Sequence, residues 1–309
     1  GAISSTEGQG YLTISFTGTG GVQATNSGTI QTAGTAQAIG QILFDGTSGT
    51  NGSGYCVVDL GIDTTIIATN TATGSIQGDQ IAFYDTVVQG SGTLQAINAG
   101  GSLVHGVAFY GASSTAGAAK VDLVGSSLWI DDTVGSSFAL GGISGDWSSV
   151  ATFNQNTTIN TVAGNSNVFY GDISGTGNLV ISGDGQQLFA GANDYEGTTT
   201  VTGDGTKLTL VQSNVPGSLV VDSGAYFSGS GSVDGAATIS GTVKAGNSPG
   251  TLYFLSGLTL SPSSTTIAEL GAREAPLLDV SGGNANIAGT LQIIEDGESH
   301  ECEQHQKPR

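Results

Sequence analysis

The sequence predicts an all-β fold, a right-handed parallel β-helix wound into an elongated solenoid, and three observations predict it. Short alternating apolar runs such as Leu179-Val180-Ile181, Lys207-Leu208-Thr209-Leu210, Leu219-Val220-Val221, Leu258-Thr259-Leu260 and Leu291-Gln292-Ile293 end in Gly, Asn, Asp or Ser, a strand-then-turn signature. The runs recur about every ten residues with no helical pattern long enough for a crossover, so two or three strands make a coil of roughly 20 to 25 residues. Composition agrees: 309 residues hold 52 Gly, no Met and only six Lys plus Arg, with 37% apolar and 10% charged. That is too apolar for ordinary disorder and poor in helix formers.

The elements follow in order. Tyr11 to Phe16 is the first strand, with Leu12, Ile14 and Phe16 on one face and Thr13 and Ser15 on the other. Gln41 to Phe44 and Tyr55 to Leu60 follow, bounded by Gly-containing turns. Cys56 shares parity with Val58 and Leu60, which reads as a small buried side chain. Further strands are expected at Thr64 to Ala68, Gln80 to Val88, Leu94 to Ile97, Leu103 to Tyr110, Lys120 to Val124, Leu128 to Ile130, Phe138 to Leu140, Ser149 to Phe153 and Thr157 to Val162. Some are longer and more aromatic than those downstream, which suggests irregular rungs or protruding hairpins. The Asn/Gln/Thr-rich stretch Asn154 to Asn167 reads as a polar turn stack whose amides pair between coils. From Gly171 to Ile294 the beat is most regular, and Leu208, Leu219, Ile239 and Leu252 should point inward in a core of Leu, Val, Ile and Ala. The chain thus divides into less regular coils over 1–170, regular coils over 171–294, and a patternless tail over 295–309, read as disordered or an expression remnant.

The regular half carries a resemblance. Gly-x-Gly-x-Leu-x-x-x-Gly at 175 to 183, Ala192-Asn193-Asp194-Tyr195-Glu196-Gly197-Thr198-Thr199 with Val201, and Lys207 to Leu210 resemble the passenger-associated repeat of Gram-negative autotransporters, the pertactin-like β-helices of type V secretion. Gly229 to Val233, Gly241-Thr242-Val243, Ala245 to Leu252, Leu277 to Gly282 and Gly289 to Gln292 resemble the segment those passengers carry before their membrane barrel. The pieces stand in the family's order over about 120 residues; residues 1 to 165 share only the general texture. The resemblance implies a passenger exported with a signal peptide not present in this chain, and displayed on or released from the outer surface. It would reach the membrane only through a β-barrel domain that is likewise not present. Adhesion or self-association would be its work, with host or bacterial surface glycans or proteins, or a second copy, as partners.

Charge narrows the partners. The net charge of −19 and scattered Lys120, Lys207, Lys244, Arg273, Lys307 and Arg309 oppose binding to nucleic acid, which needs clustered cations. Cys56 and Cys302 lie many coils apart in such a stack and should not pair.

Signals for chemistry are sparse. His105 shares parity with Leu103, Val107 and Phe109 and reads as a structural histidine, since no nucleophile motif accompanies it. Asp131 and Asp132 form a site only if a turn brings them to one side; a solvated turn is the competing reading. Asp184, Asp204 and Asp296 adjoin Gly without the period of calcium repeats. His300, Cys302 and His305 lack the partner spacing of a zinc site. Gly229-x-Gly231-x-x-x-Gly235 reads as a turn and not as a dinucleotide loop. No catalytic, cofactor-binding or metal residue and no cofactor is assigned. Two alternatives stay open: a β-helical enzyme acting on neutral glycans through two facing carboxylates, and a structural unit stacking end to end into fibres. Carboxylates with aromatics along one groove would favour the enzyme.

Overall fold

The computed structural model describes residues 3–5, 11–15, 21–24, 29–33, 41–45, 56–60, 65–70, 81–84, 86–98, 105–246, 250–270 and 277–295. These form a parallel β-solenoid, and no helix occurs among them. One coil shows the plan. Lys120–Val124 lies in a 15-stranded sheet (face 1), Ser127–Ile130 in a seven-stranded sheet (face 2) and Ser137–Leu140 in an eight-stranded sheet (face 3), after which Gly142–Gly145 returns to face 1. A further three-stranded sheet joins Gly21–Ala24, Cys56–Leu60 and Thr86–Gly90.

Register stacks like on like. On face 3, Leu140, Ile159, Ile181, Val201, Val221, Ile239 and Leu260 are successive partners, all buried. Each such side chain contributes about 1.5–3 kcal/mol by leaving water. Leu208, Leu219, Ile239 and Leu252 are all inward, at 0% exposure. The core is more aromatic than the expected Leu, Val, Ile and Ala: Phe83, Phe109, Phe138, Phe153, Phe169, Phe189, Phe227 and Phe254 are all buried in it. Phe83 and Phe109 stack at 4.7 Å, and Phe138 meets Phe109 edge-on.

The motif from Asn193 to Thr199 has a structural explanation. No strand forms over 190–198, so the Asn193 amide replaces one. Its Oδ1 accepts from Ile173 N (3.1 Å), and its Nδ2 donates to Asn214 O (2.8 Å) and Ser213 Oγ (3.2 Å). Tyr195 turns into the core at 1% exposure, its hydroxyl 2.5 Å from Thr199 Oγ1; burial pushes that hydroxyl's pKa upward. Gly197 is required because a Cβ would lie 2.1 Å from Gly177 O in the coil before.

Several expectations change. Gln80 to Val88 is two strands, Ile81–Tyr84 on face 2 and Thr86–Gly90 on the three-stranded sheet, because the chain turns a corner between them. Gly229 and Gly231 are not in a turn: both lie in the strand Tyr226–Val233, which bends where it meets the bulge at Gln212 of Lys207–Val215. Beyond that bulge Ser213–Val215, Gly231–Val233, Leu252–Phe254 and Leu277–Val280 pair in succession as a third side. Asn154 to Asn167 holds the strand Asn156–Thr161, a turn and the start of the strand Ser166–Phe169; its Asn156 begins an amide ladder that runs on through Asn178 to Thr198 N. The coil over 166–189 also holds a core amide. Face-1 pairing there shrinks to Gly145↔Phe169, and the fully buried Gln187 reaches two coils back to bond Ile143 O (2.9 Å) and Ile143 N (3.3 Å). In the last described coil, Leu291 follows Val243 and Thr266 in register yet is 62% exposed, as Ile287 is at 66%.

Candidate functional site

Strand alternation sends half of each strand outward, so the surfaces available for function are the outer sides of the three faces. Face 3 is the most regular. Its central outward positions are Ala139, Thr158, Val180, Thr200, Val220, Thr238, Thr259 and Asn286, in register. No strand residue of this face is charged, in a chain with 25 Asp plus Glu. Eight strands at about 4.8 Å spacing make a ladder roughly 34 Å long. Hydroxyl and amide contacts tie its margins from coil to coil, as in Ser240 Oγ···Ser261 Oγ at 2.9 Å and Asn178 Nδ2 to Asn156 Oδ1 at 3.0 Å.

Face 2 differs because its outward side is aromatic. Tyr84 and Tyr110 are register partners and stack at 4.7 Å. Trp129 follows in the next coil opposite Ala108, whose small side chain leaves room for the indole along the face. His105 stacks on Trp129 at 4.8 Å, with its Nδ1 3.3 Å from Tyr110 Oη. His105 therefore lies on the outer side and not with Val107 and Phe109, because the strand begins only at Val107 and the chain is irregular at 105 and 106. Leu103, the first residue of the expected strand, lies outside the described residues.

Asp131 follows Trp129-Ile130 in a turn. Its carboxylate accepts from Thr133 Oγ1 (2.6 Å), Thr133 N (2.9 Å) and Trp129 Nε1 (3.3 Å). Burial pushes this carboxyl up, but the bonds from Thr133 and Trp129 outweigh it and hold the pKa below the ordinary 3.8. An ionised carboxylate already engaged by three donors suits a turn clamp, whereas a general acid needs a raised pKa. Asp132 is exposed, and its backbone carbonyl accepts from Gln155 Nε2 at 2.9 Å. Asp184 Oδ1 accepts from Ala163 N at 3.0 Å, tying one turn to the next, and Asp204 is exposed on a neighbouring turn.

One feature escaped the sequence reading, at the corner between faces 1 and 2. Trp147 is 70% exposed, and its ring lies 4.8 Å from that of Tyr170, 39% exposed, in the next coil. Val150, in the coil of Trp147, and Val124, at the same corner of the coil before, are each 39% exposed. The preceding residue, Asp146, pins this turn by accepting from Ser149 Oγ (2.8 Å), Gly125 N (2.9 Å) and Ser148 Oγ (3.0 Å). Burial pushes the Asp146 carboxyl up, and those bonds bring its pKa below 3.8. The signal was present, since the only two tryptophans of the chain fall at an outward strand position and in an Asp-x-Ser turn.

Among the described residues no group of three or more His, Cys, Asp and Glu is placed to hold a metal ion. His300, Cys302, His305, Asp296 and Arg273 lie outside the described residues, as do the side chain of Cys56 and its relation to Cys302.

The chain is 31% identical to the adhesin BmaC autotransporter of Brucella suis biovar 1 (strain 1330) over 139 residues, 41% of this chain and 4% of that protein. It thus spans a small fraction of that relative's length. No family model matches the chain, and no solved structure matches it. The similarity and the parallel solenoid together bear out the resemblance to autotransporter passengers.

Proposed function

We propose that this chain is part of a surface-exposed, adhesin-like passenger that works by contact through face 3, outside the cell. The observation that carries the reading is the uncharged Thr/Val ladder of that face on a chain of net charge −19. A partner docking there need not strip water from a charge, the costliest part of burying a polar surface. Threonine and valine are β-branched and hold few rotamers, so docking costs little side-chain entropy. Each hydrogen bond nets about 0.5–1.5 kcal/mol, and useful strength comes from many copies displayed together. The partners are surface glycans or proteins of host or bacterial cells, or face 3 of a second copy.

Beads carrying the chain test this. Wild-type beads should adhere to cells or to one another, while a Thr200→Glu, Thr238→Glu variant of unchanged circular dichroism should lose most of the adhesion. Bead-to-bead aggregation should strengthen with salt, which screens the repulsion between acidic chains. Adhesion undiminished in the double variant would refute the assignment to face 3.

A further inference from the structure

We propose that the corner of faces 1 and 2 carrying Trp147 and Tyr170 is a binding site for the sugar rings of a neutral glycan. Tryptophan is ordinarily well buried, yet in this solenoid aliphatic residues and phenylalanines fill the core and both tryptophans lie outside it, on consecutive coils. Trp147 keeps 70% of its surface in water while one side meets Tyr170. The two ring planes are inclined at 44°, so they form a shallow open V and not a closed stack.

This exposure is built into the turn. Asp146 binds Gly125 of the preceding coil and both serines that follow Trp147, which fixes the backbone on either side of the indole. A ring held outward by a clamped turn is pre-organised, and a ligand pays little to order it.

The surroundings select the ligand. The face of an aromatic ring is electron-rich and attracts the weakly positive C–H groups on one side of a pyranose ring. Polar edges stand close by: Ser148 is exposed on the same turn, and Asp172, exposed two residues after Tyr170, is the register partner of Val150. Hydroxyl and carboxylate oxygens accept from sugar hydroxyls, and Asp146 and Asp172 with the net charge of −19 oppose an acidic polysaccharide. Two rings and two valines are also a small patch beside the roughly 20–30 residues a side of a stable protein interface. They match a few sugar units.

The inference deepens the contact reading and rests on it only in assigning the outer surface to binding. Electrophoresis of the full chain through gels containing dextran, mannan or galactan, with polygalacturonate as the acidic counterpart, tests it. Retardation by at least one neutral polysaccharide and none by polygalacturonate is expected. Trp147→Ala should weaken it by tenfold or more, and Tyr170→Ala by severalfold. Both side chains are exposed, so unchanged circular dichroism should accompany the loss. In a Trp129→Phe variant Trp147 is the sole indole, and its emission should shift to the blue on adding the retarding polysaccharide. Retardation by no neutral polysaccharide, or equal retardation of wild type and Trp147→Ala, would overturn the proposal. Thr200→Glu, Thr238→Glu should keep the retardation while losing bead adhesion, so the two readings fail separately.

Discussion

Replacing Tyr195 by Phe deletes one buried oxygen and tests the structural account of the Asn193 to Thr199 motif. The Tyr195 hydroxyl meets Thr199 Oγ1 at 2.5 Å inside the core, where Tyr195 is 1% and Thr199 0% exposed. Tyr195→Phe removes a neutral hydrogen bond and strands the Thr199 hydroxyl away from water. The stranded group sets the cost, about 1–3 kcal/mol. Thr199→Val alone strands the tyrosine hydroxyl at a similar cost. The double variant removes both polar atoms while nearly keeping shape, so it should regain most of the loss, with a coupling of about 2 kcal/mol or more. Urea unfolding of the four proteins with a common slope measures this. Additive single effects, or a Tyr195→Phe variant as stable as wild type, would refute the claim that the motif's tyrosine serves the core through Thr199.

Gln187→Leu strands both Ile143 N and Ile143 O, which the Gln187 amide bonds from two coils away, and should cost about 2–5 kcal/mol in the same unfolding assay. Gly197→Ala drives a Cβ to 2.1 Å from Gly177 O; backbone cannot yield as a side chain does, and a loss of about 1–3 kcal/mol in denaturant titration is expected. Asp146→Asn tests the turn clamp through pH. The folded-state pKa of Asp146 is depressed below 3.8, so its stabilisation is present above that value and is lost as pH falls through the lower folded-state pKa. The gap between wild type and variant, followed by thermal melts across a pH series, should be full at neutral pH and close in acid.

The fold was legible because its signals are local. Period-two alternation and Gly-bounded runs mark strands such as Leu219–Val221 without reference to the rest of the chain, and stacking equivalent runs follows from their beat. What escaped the sequence is set by contacts between coils. Nothing local to Asn193 or Gln187 tells that their amides replace missing backbone partners in coils 20 and 44 residues away. The parity rule failed at His105 because the strand begins at Val107, two residues beyond the histidine, and not at Leu103. It missed that Ile81–Tyr84 and Thr86–Gly90 belong to two different sheets, because an apolar run across a solenoid corner reads like one long strand. The neutral ladder of face 3 could be read as Thr and Val at outward positions once the register was known. The Trp147 patch needed the exposure of a side chain in a turn, where alternation has no meaning.

If face 3 makes the contacts, retention under flow of cells displaying the chain on a target surface should depend on the outward threonines of that face. The comparison sets Thr200→Lys, Thr238→Lys against Gln95→Lys, Ser144→Lys, which adds the same charge to the outward side of face 1. Retention lost in the first pair and kept in the second is the predicted result. Equal retention of both variants, or equal loss in both, would contradict it.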